Sequence, residues 1–140
     1  MRALAMALRL AASLPGVPRA AGSVVVFGLA CMLAQPAWAG EADAVGVEVK
    51  RESGGAFGFS VTVRHDDEGW DHYADKWQVV GADGTIYGER VLLHPHENEQ
   101  PFTRSQSGIV IPEAVSEVVV RAHDKVHGFG GREMTVKLPE

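Results

Sequence analysis

The sequence predicts an all-β domain, built as a two-sheet antiparallel sandwich, between residues 40 and 140. Three observations lead to this prediction. Apolar and polar residues alternate with a period of two in seven short stretches, which is the pattern of half-buried strands. Turn residues separate these stretches, and no stretch has a convincing helical period. Seven short strands in a domain of about 100 residues are typical of two stacked antiparallel sheets.

The first two predicted strands form a hairpin. In the first, "VGVEVKR" at 45–51, the inward residues are Val45, Val47 and Val49. In the second, "FGFSVTVRH" at 57–65, the inward residues are Phe57, Phe59, Val61 and Val63. The link "ESGGA" between them is glycine-rich, as hairpin loops often are. Both strands therefore have one apolar face to bury.

Five further strands follow in order. Strands 75–80 and 85–93 are joined by a turn centred on Asp83-Gly84, a strong hairpin signal. Strand 102–111 is closed by a proline, and strands 116–123 and 132–138 complete the domain. Their inward residues are Val118, Val120 and Ala122 in the first and Met134, Val136 and Leu138 in the second.

The predicted sandwich resembles immunoglobulin and fibronectin type III domains. Trp77 lies on the third strand, where immunoglobulin-like domains often keep a core tryptophan. This resemblance concerns architecture only, and a shared fold does not imply a shared function. It predicts a seven-stranded, antiparallel immunoglobulin/fibronectin-III-like sandwich in a single domain, 40–140.

The first 39 residues are predicted to be a cleaved export signal. Three arginines precede the apolar run 20–33, and "AWA" at 37–39 suits signal peptidase. The run of about fourteen residues is shorter than the roughly twenty that a spanning helix needs, so a retained membrane anchor is the less favoured alternative. Cys31 lacks a lipobox, because Gly28 stands where an aliphatic residue is required. The mature domain is expected to be periplasmic or secreted and free of the membrane.

The mature domain is acidic and lacks cysteine. It contains all 18 acidic residues and 10 of the 13 basic ones, for a formal net charge of −8. An acidic surface argues against nucleic acid and anionic lipid as partners and is compatible with cations. With Cys31 removed, neither a disulfide nor a blue-copper site can form.

All six histidines are predicted to lie at one end of the sandwich. In an antiparallel arrangement, the links after the second, fourth and sixth strands leave from the same end. These three links, 65–75, 94–101 and 123–131, are called the histidine pole below. They contain His65, His72, His94, His96, His123 and His127. The opposite end has no histidine, so one histidine cluster is expected.

Such a cluster predicts a metal ion as the partner. Neutral imidazole is the commonest ligand for late first-row metals, and three or four suffice. His94 and His96 are two apart in extended chain, so their rings point to one side. Asp66 and Asp124 each follow a histidine directly and are candidates to orient an imidazole or to join as ligands. The ligand set favours Zn²⁺ or Cu²⁺, with Fe²⁺ less favoured unless a carboxylate joins.

A non-metal role is the alternative. The His-Asp pairs can lock long loops by hydrogen bonds alone. In that case Trp70, Tyr73 and Phe129 would form an aromatic lip that contacts another exported protein or a small ligand. No serine lies in a Gly-x-Ser-x-Gly motif, and no catalytic residue is assigned. Whether the protein is an enzyme is left open, and a binding role is favoured.

Two fragments resemble the iron site of desulfoferrodoxin- and neelaredoxin-type superoxide reductases. "HDDEGWDHYADKW" at 65–77 has the family's order of residues in His65, His72, Tyr73 and Trp77. "DKVHG" at 124–128 ends in the family's histidine-glycine pair, but Asp124 stands where the family has its cysteine ligand. The resemblance implies an immunoglobulin-like fold with a mononuclear iron redox centre. The missing thiolate, the axial ligand in that family, puts superoxide reduction in doubt.

Overall fold

The computed structural model describes residues 40–140 as two antiparallel sheets, and the predicted signal at 1–39 lies outside the described residues. The strands are β1 (Asp43–Arg51), β2 (Phe57–Arg64), β3 (Ala74–Val80), β4 (Ile86–Val91), β5 (Phe102–Ile109), β6 (Glu117–Asp124) and β7 (Met134–Lys137). Each of the seven predicted strands is present, with ends that differ by at most two residues. The all-β prediction is confirmed.

The sheets contain three and four strands. Their orders are β1-β2-β5 and β4-β3-β6-β7, and every neighbouring pair is antiparallel. Phe59, Val61 and Val63 of β2 face Trp77 and Val79 of β3 in one buried core. Trp77 is fully buried, as predicted. The period-two pattern is therefore explained by one face of each sheet packing against the other.

The structure differs from the predicted alternation at the start of β1. Ala44 pairs with Val63 and Gly46 with Thr62, so Val45 is the extra residue of a β-bulge. A bulge shifts the side chains before it by one position. Ala44 is consequently buried in the core in place of Val45, whereas Val47 and Val49 pack inward as predicted.

Strand register brings the three histidine-containing links to one end. In the first sheet, Val63 near the end of β2 pairs with Phe102 at the start of β5. In the second, Ala74 at the start of β3 pairs with Asp124 at the end of β6. Lys76 pairs with Val91 at the end of β4. The links 65–73, 92–101 and 125–133 thus leave the sheets at the same end. His123, predicted in the third link, is instead near the end of β6, and with these links it belongs to the histidine pole.

Candidate metal centre

His65 is the first residue after β2 and continues its inward alternation. It is buried, and its Nδ1 lies 2.6 Å from Asp67 Oδ1. Since an ionised carboxylate can only accept, Nδ1–H donates to Asp67. The second nitrogen, Nε2, lies 3.3 Å from Nε2 of His72. Asp67 thus directs Nε2 of His65 toward the interior of the pole, in the way that carboxylates orient metal-binding histidines.

Asp67 connects three segments of the pole. Besides His65, its Oδ1 accepts a hydrogen bond from the backbone N of Ala74 at 3.0 Å. Its Oδ2 accepts one from the backbone N of His96 at 2.6 Å. Burial alone raises the pKa of Asp67, but these hydrogen bonds outweigh it and hold the pKa below its usual range. The carboxylate is therefore ionised at neutral pH.

The same contact changes the protonation of His65. Burial alone lowers the pKa of His65, yet the hydrogen bond and negative charge of Asp67 raise it above the usual value of 6.5. When both ring nitrogens carry a proton, His65 can donate to Asp67 on one side and to His72 on the other. A metal ion at Nε2 would take the place of that second proton.

Asp124, the last residue of β6, supplies a buried carboxylate. Its Oδ1 accepts hydrogen bonds from the backbone N of Val126 at 2.9 Å and of His127 at 2.7 Å. Burial raises its pKa, but these backbone bonds and the nearby histidines lower it below its usual range. Its Oδ2 is buried and has no hydrogen-bond partner in the described part of the chain. A buried carboxylate oxygen is costly unless a hydrogen-bond donor or a cation binds it.

Three of these side chains form a candidate metal centre. One donor atom each from His65, His72 and Asp124 lie within 4.8 Å of one another. The distance from His72 Nε2 to Asp124 Oδ1 is 3.3 Å, the same as between the two Nε2 atoms. Ligands on a tetrahedral metal with bonds of about 2.05 Å are separated by about 3.3 Å. We call this group the two-histidine-one-carboxylate centre, and its spacing can accommodate a metal ion.

His127 lies beside the centre. Its ring centroid is 5.1 Å from that of His72, and its Nδ1 lies 3.1 Å from Asp124 Oδ1. Nδ1–H therefore donates to the carboxylate. The side chain is 36% exposed, compared with 14% for His72 and 0% for Asp124. His127 thus borders the centre on its solvent side.

His94 and His96 belong to an aromatic stack outside the centre. Their ring centroids are 4.5 Å apart, and His96 stacks on Phe102 at 3.9 Å with an interplanar angle of 10°. Neither nitrogen of the buried His96 ring has a hydrogen-bond partner within residues 40–140. Burial, assisted by the positive charge of Arg104, lowers the pKa of His96. His96 is therefore a neutral imidazole packed in the core of the pole.

His123 forms a separate pair with Asp75. Its Nδ1 lies 2.5 Å from Asp75 Oδ1, and its ring meets Phe129 edge-on at 4.7 Å. The structure thus distributes the six histidines over three local groups. Two of them join Asp124 in the centre, His127 borders it, and the other three lie in the stack or in this pair.

The aromatic residues of the predicted lip have different surroundings. Trp70 is 63% exposed and meets the largely buried Tyr73 edge-on at 5.9 Å. Lys125 Nζ donates to the Trp70 carbonyl at 2.9 Å and lies over the Tyr73 ring. Phe129 contacts His123 and lies 4.2 Å below the Arg121 guanidinium. Of the three aromatic side chains, Trp70 presents the most surface to solvent.

Sequence reasoning missed Asp67 and selected Asp66 as a candidate to orient an imidazole. Asp66 is exposed, whereas Asp67 is buried and bonded to His65. The signal was present in the alternation itself, because Val61, Val63, His65 and Asp67 all have inward parity. Asp75, the partner of His123, was also missed. Its side chain meets His123 only through the pairing of β3 with β6.

Comparison with known proteins gives one relative and no fold assignment. No protein-family model matches the chain, and no solved structure matches it. A protein of Halomicrobium mukohataei with the name "Putative lipoprotein" is 50% identical over 96 residues, which cover 69% of this chain and 47% of that protein. The chain thus spans about half the length of the curated relative it matches. In residues 40–140, no helix has the length and hydropathy needed to cross a bilayer.

Proposed function

We propose that residues 40–140 form an exported β-sandwich that binds one divalent transition metal through His65, His72 and Asp124. The observation that carries this proposal is the convergence of two imidazole nitrogens and a buried carboxylate within 4.8 Å of one another, with His72 Nε2 at 3.3 Å from each of the other two donors. Asp67 holds His65 in the tautomer that metal binding requires. The role is metal handling or stabilisation of the three long links of the pole.

The orphaned Oδ2 of Asp124 favours a metal over a purely hydrogen-bonded network. A His65 protonated on both ring nitrogens would donate to Asp67 and to His72 without any ion. It would still leave Asp124 Oδ2 buried and without a hydrogen-bond partner within residues 40–140. The atom of Asp124 that lies 3.3 Å from His72 Nε2 is Oδ1, so a cation at the centre would satisfy Oδ2 only by binding both oxygens of the carboxylate. The formal charge of −8 on residues 40–140 favours cation binding over the whole domain.

The donor types of the three ligands indicate which metal ions the centre would bind. Two imidazoles and a carboxylate suit Zn²⁺, and the same set with open positions is typical of non-haem Fe²⁺. Cu²⁺ binds strongly to such nitrogen and oxygen donors in general. The sequence alone favoured Zn²⁺ or Cu²⁺. Asp124 supplies the carboxylate that Fe²⁺ requires, so Fe²⁺ becomes a third candidate beside these two metals.

Titration with metals tests the proposal. The metal-free protein is heated alone and then with one equivalent of Zn²⁺, Cu²⁺, Ni²⁺ or, under argon, Fe²⁺. A metal present at 100 times its Kd adds about 2.7 kcal/mol, which raises Tm by about 10–20 °C in a domain of this size. His72→Ala should abolish the shift. The matched control is His123→Ala, which removes a histidine of the same pole that is bonded to Asp75 outside the centre.

The two variants separate the outcomes. Loss of the shift in His72→Ala with its retention in His123→Ala supports the centre. Absence of any shift in the unaltered protein would refute metal binding and leave the hydrogen-bonded network as the role of these residues. Equal loss in both variants would show that the ion binds elsewhere at the pole.

A second candidate function is a mononuclear iron redox centre. The superoxide reductase resemblance aligned His65, His72, Asp124 and His127 with that family's iron site. In the structure, the first three form the centre and the fourth borders it. The test is to load the protein with Fe²⁺ and follow superoxide decay by stopped flow. A rate equal to that of the Zn²⁺-loaded protein would reject this candidate.

Export and fold family complete the proposal. One sheet has three strands and the other has four. In the first sheet β5 lies beside β2, and in the second β6 lies beside β3. These strand orders support an immunoglobulin- or fibronectin-III-like topology. The name of the Halomicrobium mukohataei relative supports a place in the cell envelope. Intact mass of the exported protein tests the processing. Cleavage after Ala39 yields the mass of residues 40–140, whereas a lipid-modified Cys31 yields a larger, detergent-soluble product.

A further inference from the structure

Two arginines face inward from edge strands of the sandwich. Strand β5 lies at the edge of its sheet and β4 at the edge of the other, and the two strands are in contact. Arg90 of β4 pairs with the buried Trp77, and Arg104 of β5 pairs with the buried Val61. Directly paired residues lie on the same face of a sheet. Both arginine side chains therefore leave their strands on the core-facing side, at the edge where β4 and β5 meet.

A small cavity lies at this edge, next to the histidine pole. Its volume is about 70 Å³, which is room for a few water molecules or one small anion. Four basic side chains line it, Arg90, Arg104, His94 and His96, and three apolar residues complete the lining. Although residues 40–140 carry a formal charge of −8, no carboxylate lines this cavity. We call it the arginine cavity.

Three buried nitrogen atoms in the lining of the arginine cavity have no hydrogen-bond partner within residues 40–140. They are Nε of Arg90 and both ring nitrogens of His96. His96 is only 4% exposed, so bulk water does not solvate its ring. A buried polar atom without a partner is unfavourable and indicates a bound water molecule or ion.

The two arginines differ in their partners. Arg104 donates to the carboxylate of Glu99 at 3.0 and 3.3 Å, whereas Nε of Arg90 forms no hydrogen bond within residues 40–140. Inward-facing charges on edge strands also discourage pairing with other chains. That role requires only the charge, so it does not explain the unpaired nitrogens of Arg90 and His96. A ligand in the cavity would explain them.

We propose that the arginine cavity binds one small oxyanion, such as phosphate or sulfate, with Arg90 and His96 as its main contacts. A guanidinium group donates two parallel hydrogen bonds to the oxygens of such an anion, and the N–H of a neutral imidazole donates one more. Arg104 adds positive charge. The anion would supply hydrogen-bond partners to nitrogens that the protein leaves unpaired.

NMR titration with inorganic phosphate tests this inference. The protein is first freed of metals on a chelating resin, so that phosphate cannot act through a bound ion. It is then titrated with phosphate, sulfate or chloride at the same ionic strength, while the side-chain nitrogen signals of Arg90 and His96 are followed. Phosphate and sulfate should shift these signals in a saturable manner, and chloride should not.

Three variants locate the anion. Arg90→Gln should weaken phosphate binding by about tenfold or more, because it removes a charged hydrogen-bond donor. The matched control is Arg64→Gln, which removes the same charge from an exposed position at the end of β2 and should change the affinity by less than about twofold. His96→Phe keeps a ring that can stack on Phe102 but removes both nitrogens, so it should also weaken binding.

Each outcome supports or overturns the inference. Saturable binding that Arg90→Gln and His96→Phe weaken and Arg64→Gln retains supports it. Absence of a saturable shift with phosphate and sulfate would overturn it, and water would then fill the cavity. Equal affinities of the two glutamine variants would also overturn it, because the anion would then bind elsewhere or respond only to net charge. If Arg90→Gln does not fold, His96→Phe decides in its place. The cavity shares no residue with the two-histidine-one-carboxylate centre, so these outcomes leave the proposed metal binding unaffected.

Discussion

Replacement of Asp67 by asparagine should both destabilise the domain and weaken metal binding. The carboxylate accepts hydrogen bonds from His65 Nδ1 at 2.6 Å, from the Ala74 backbone at 3.0 Å and from the His96 backbone at 2.6 Å. Asparagine has the same shape but only one acceptor oxygen. In the Asn variant, an NH₂ group faces at least one of these N–H donors, because the three donors are distributed over both oxygens of Asp67.

The expected loss follows from these contacts. Hydrogen bonds to a charged group contribute about 1.5–3 kcal/mol, and a buried donor without a partner costs about 1–3 kcal/mol. The variant keeps one or two weaker bonds, so we expect a loss of about 2–4 kcal/mol in the free energy of unfolding. This corresponds to a fall in Tm of about 10–25 °C for a domain of this size. Removal of a carboxylate that orients a metal-binding histidine weakens metal affinity about 10–100-fold.

The assay compares Asp67→Asn with Asp66→Asn. Asp66 is the adjacent residue in the chain and is exposed, so its variant removes the same charge without breaking a buried bond. Urea unfolding of the metal-free proteins gives the stability difference, and calorimetric titration with Zn²⁺ gives the affinity difference. If the two variants have the same urea midpoint and the same Zn²⁺ affinity, Asp67 neither stabilises the pole nor orients His65, and this prediction is wrong.

Two further predictions concern backbone packing and pH. Gly131→Ala should lower the free energy of unfolding by about 1–3 kcal/mol, because the added methyl group would overlap the backbone carbonyl of Ala42. Gly130→Ala should cost less, because its methyl group meets only a flexible glutamate side chain; equal urea midpoints would contradict this. The pKa of His65 is raised above 6.5 because Asp67 outweighs the opposing effect of burial. The resulting stabilisation of the metal-free protein is fully present below pH 6.5 and is lost as pH rises through the raised pKa. Metal binding requires the neutral ring, so the affinity should fall as pH decreases through that pKa, and titrations in buffers of different ionisation enthalpy should show proton release. A metal affinity that is the same at pH 6.5 as in alkaline buffer would contradict this protonation scheme.

The strands and the histidine pole could be predicted because their signals are local. One buried face requires an apolar residue at every second position, and β2 keeps that pattern from Phe57 to Val63. Antiparallel succession then assigns each link to one end or the other. The bulge at Val45 could not be read in this way, because a bulge depends on how a strand pairs with its neighbour.

The grouping of the histidines could be predicted only in part. His65 continues the parity of β2, so its inward direction was predictable, and the same parity extends to Asp67. The pairing of His72 with Asp124 depends on the register between β3 and β6. The stacking of His96 on Phe102 likewise depends on where β5 begins. Such contacts join residues far apart in the chain, so their spacing along the chain does not predict them.

The sequence by itself determined an acidic, cysteine-free β-sandwich with its six histidines at one end, because alternation, charge and chain succession are properties of neighbouring residues. The tertiary structure alone decided which donors converge. It brought Asp124 together with His65 and His72, placed His94, His96 and His123 outside this group, and bonded Asp67 to His65. The physical reason is that a metal centre is defined by distances of a few ångströms between loops, and only strand register and side-chain packing determine those distances.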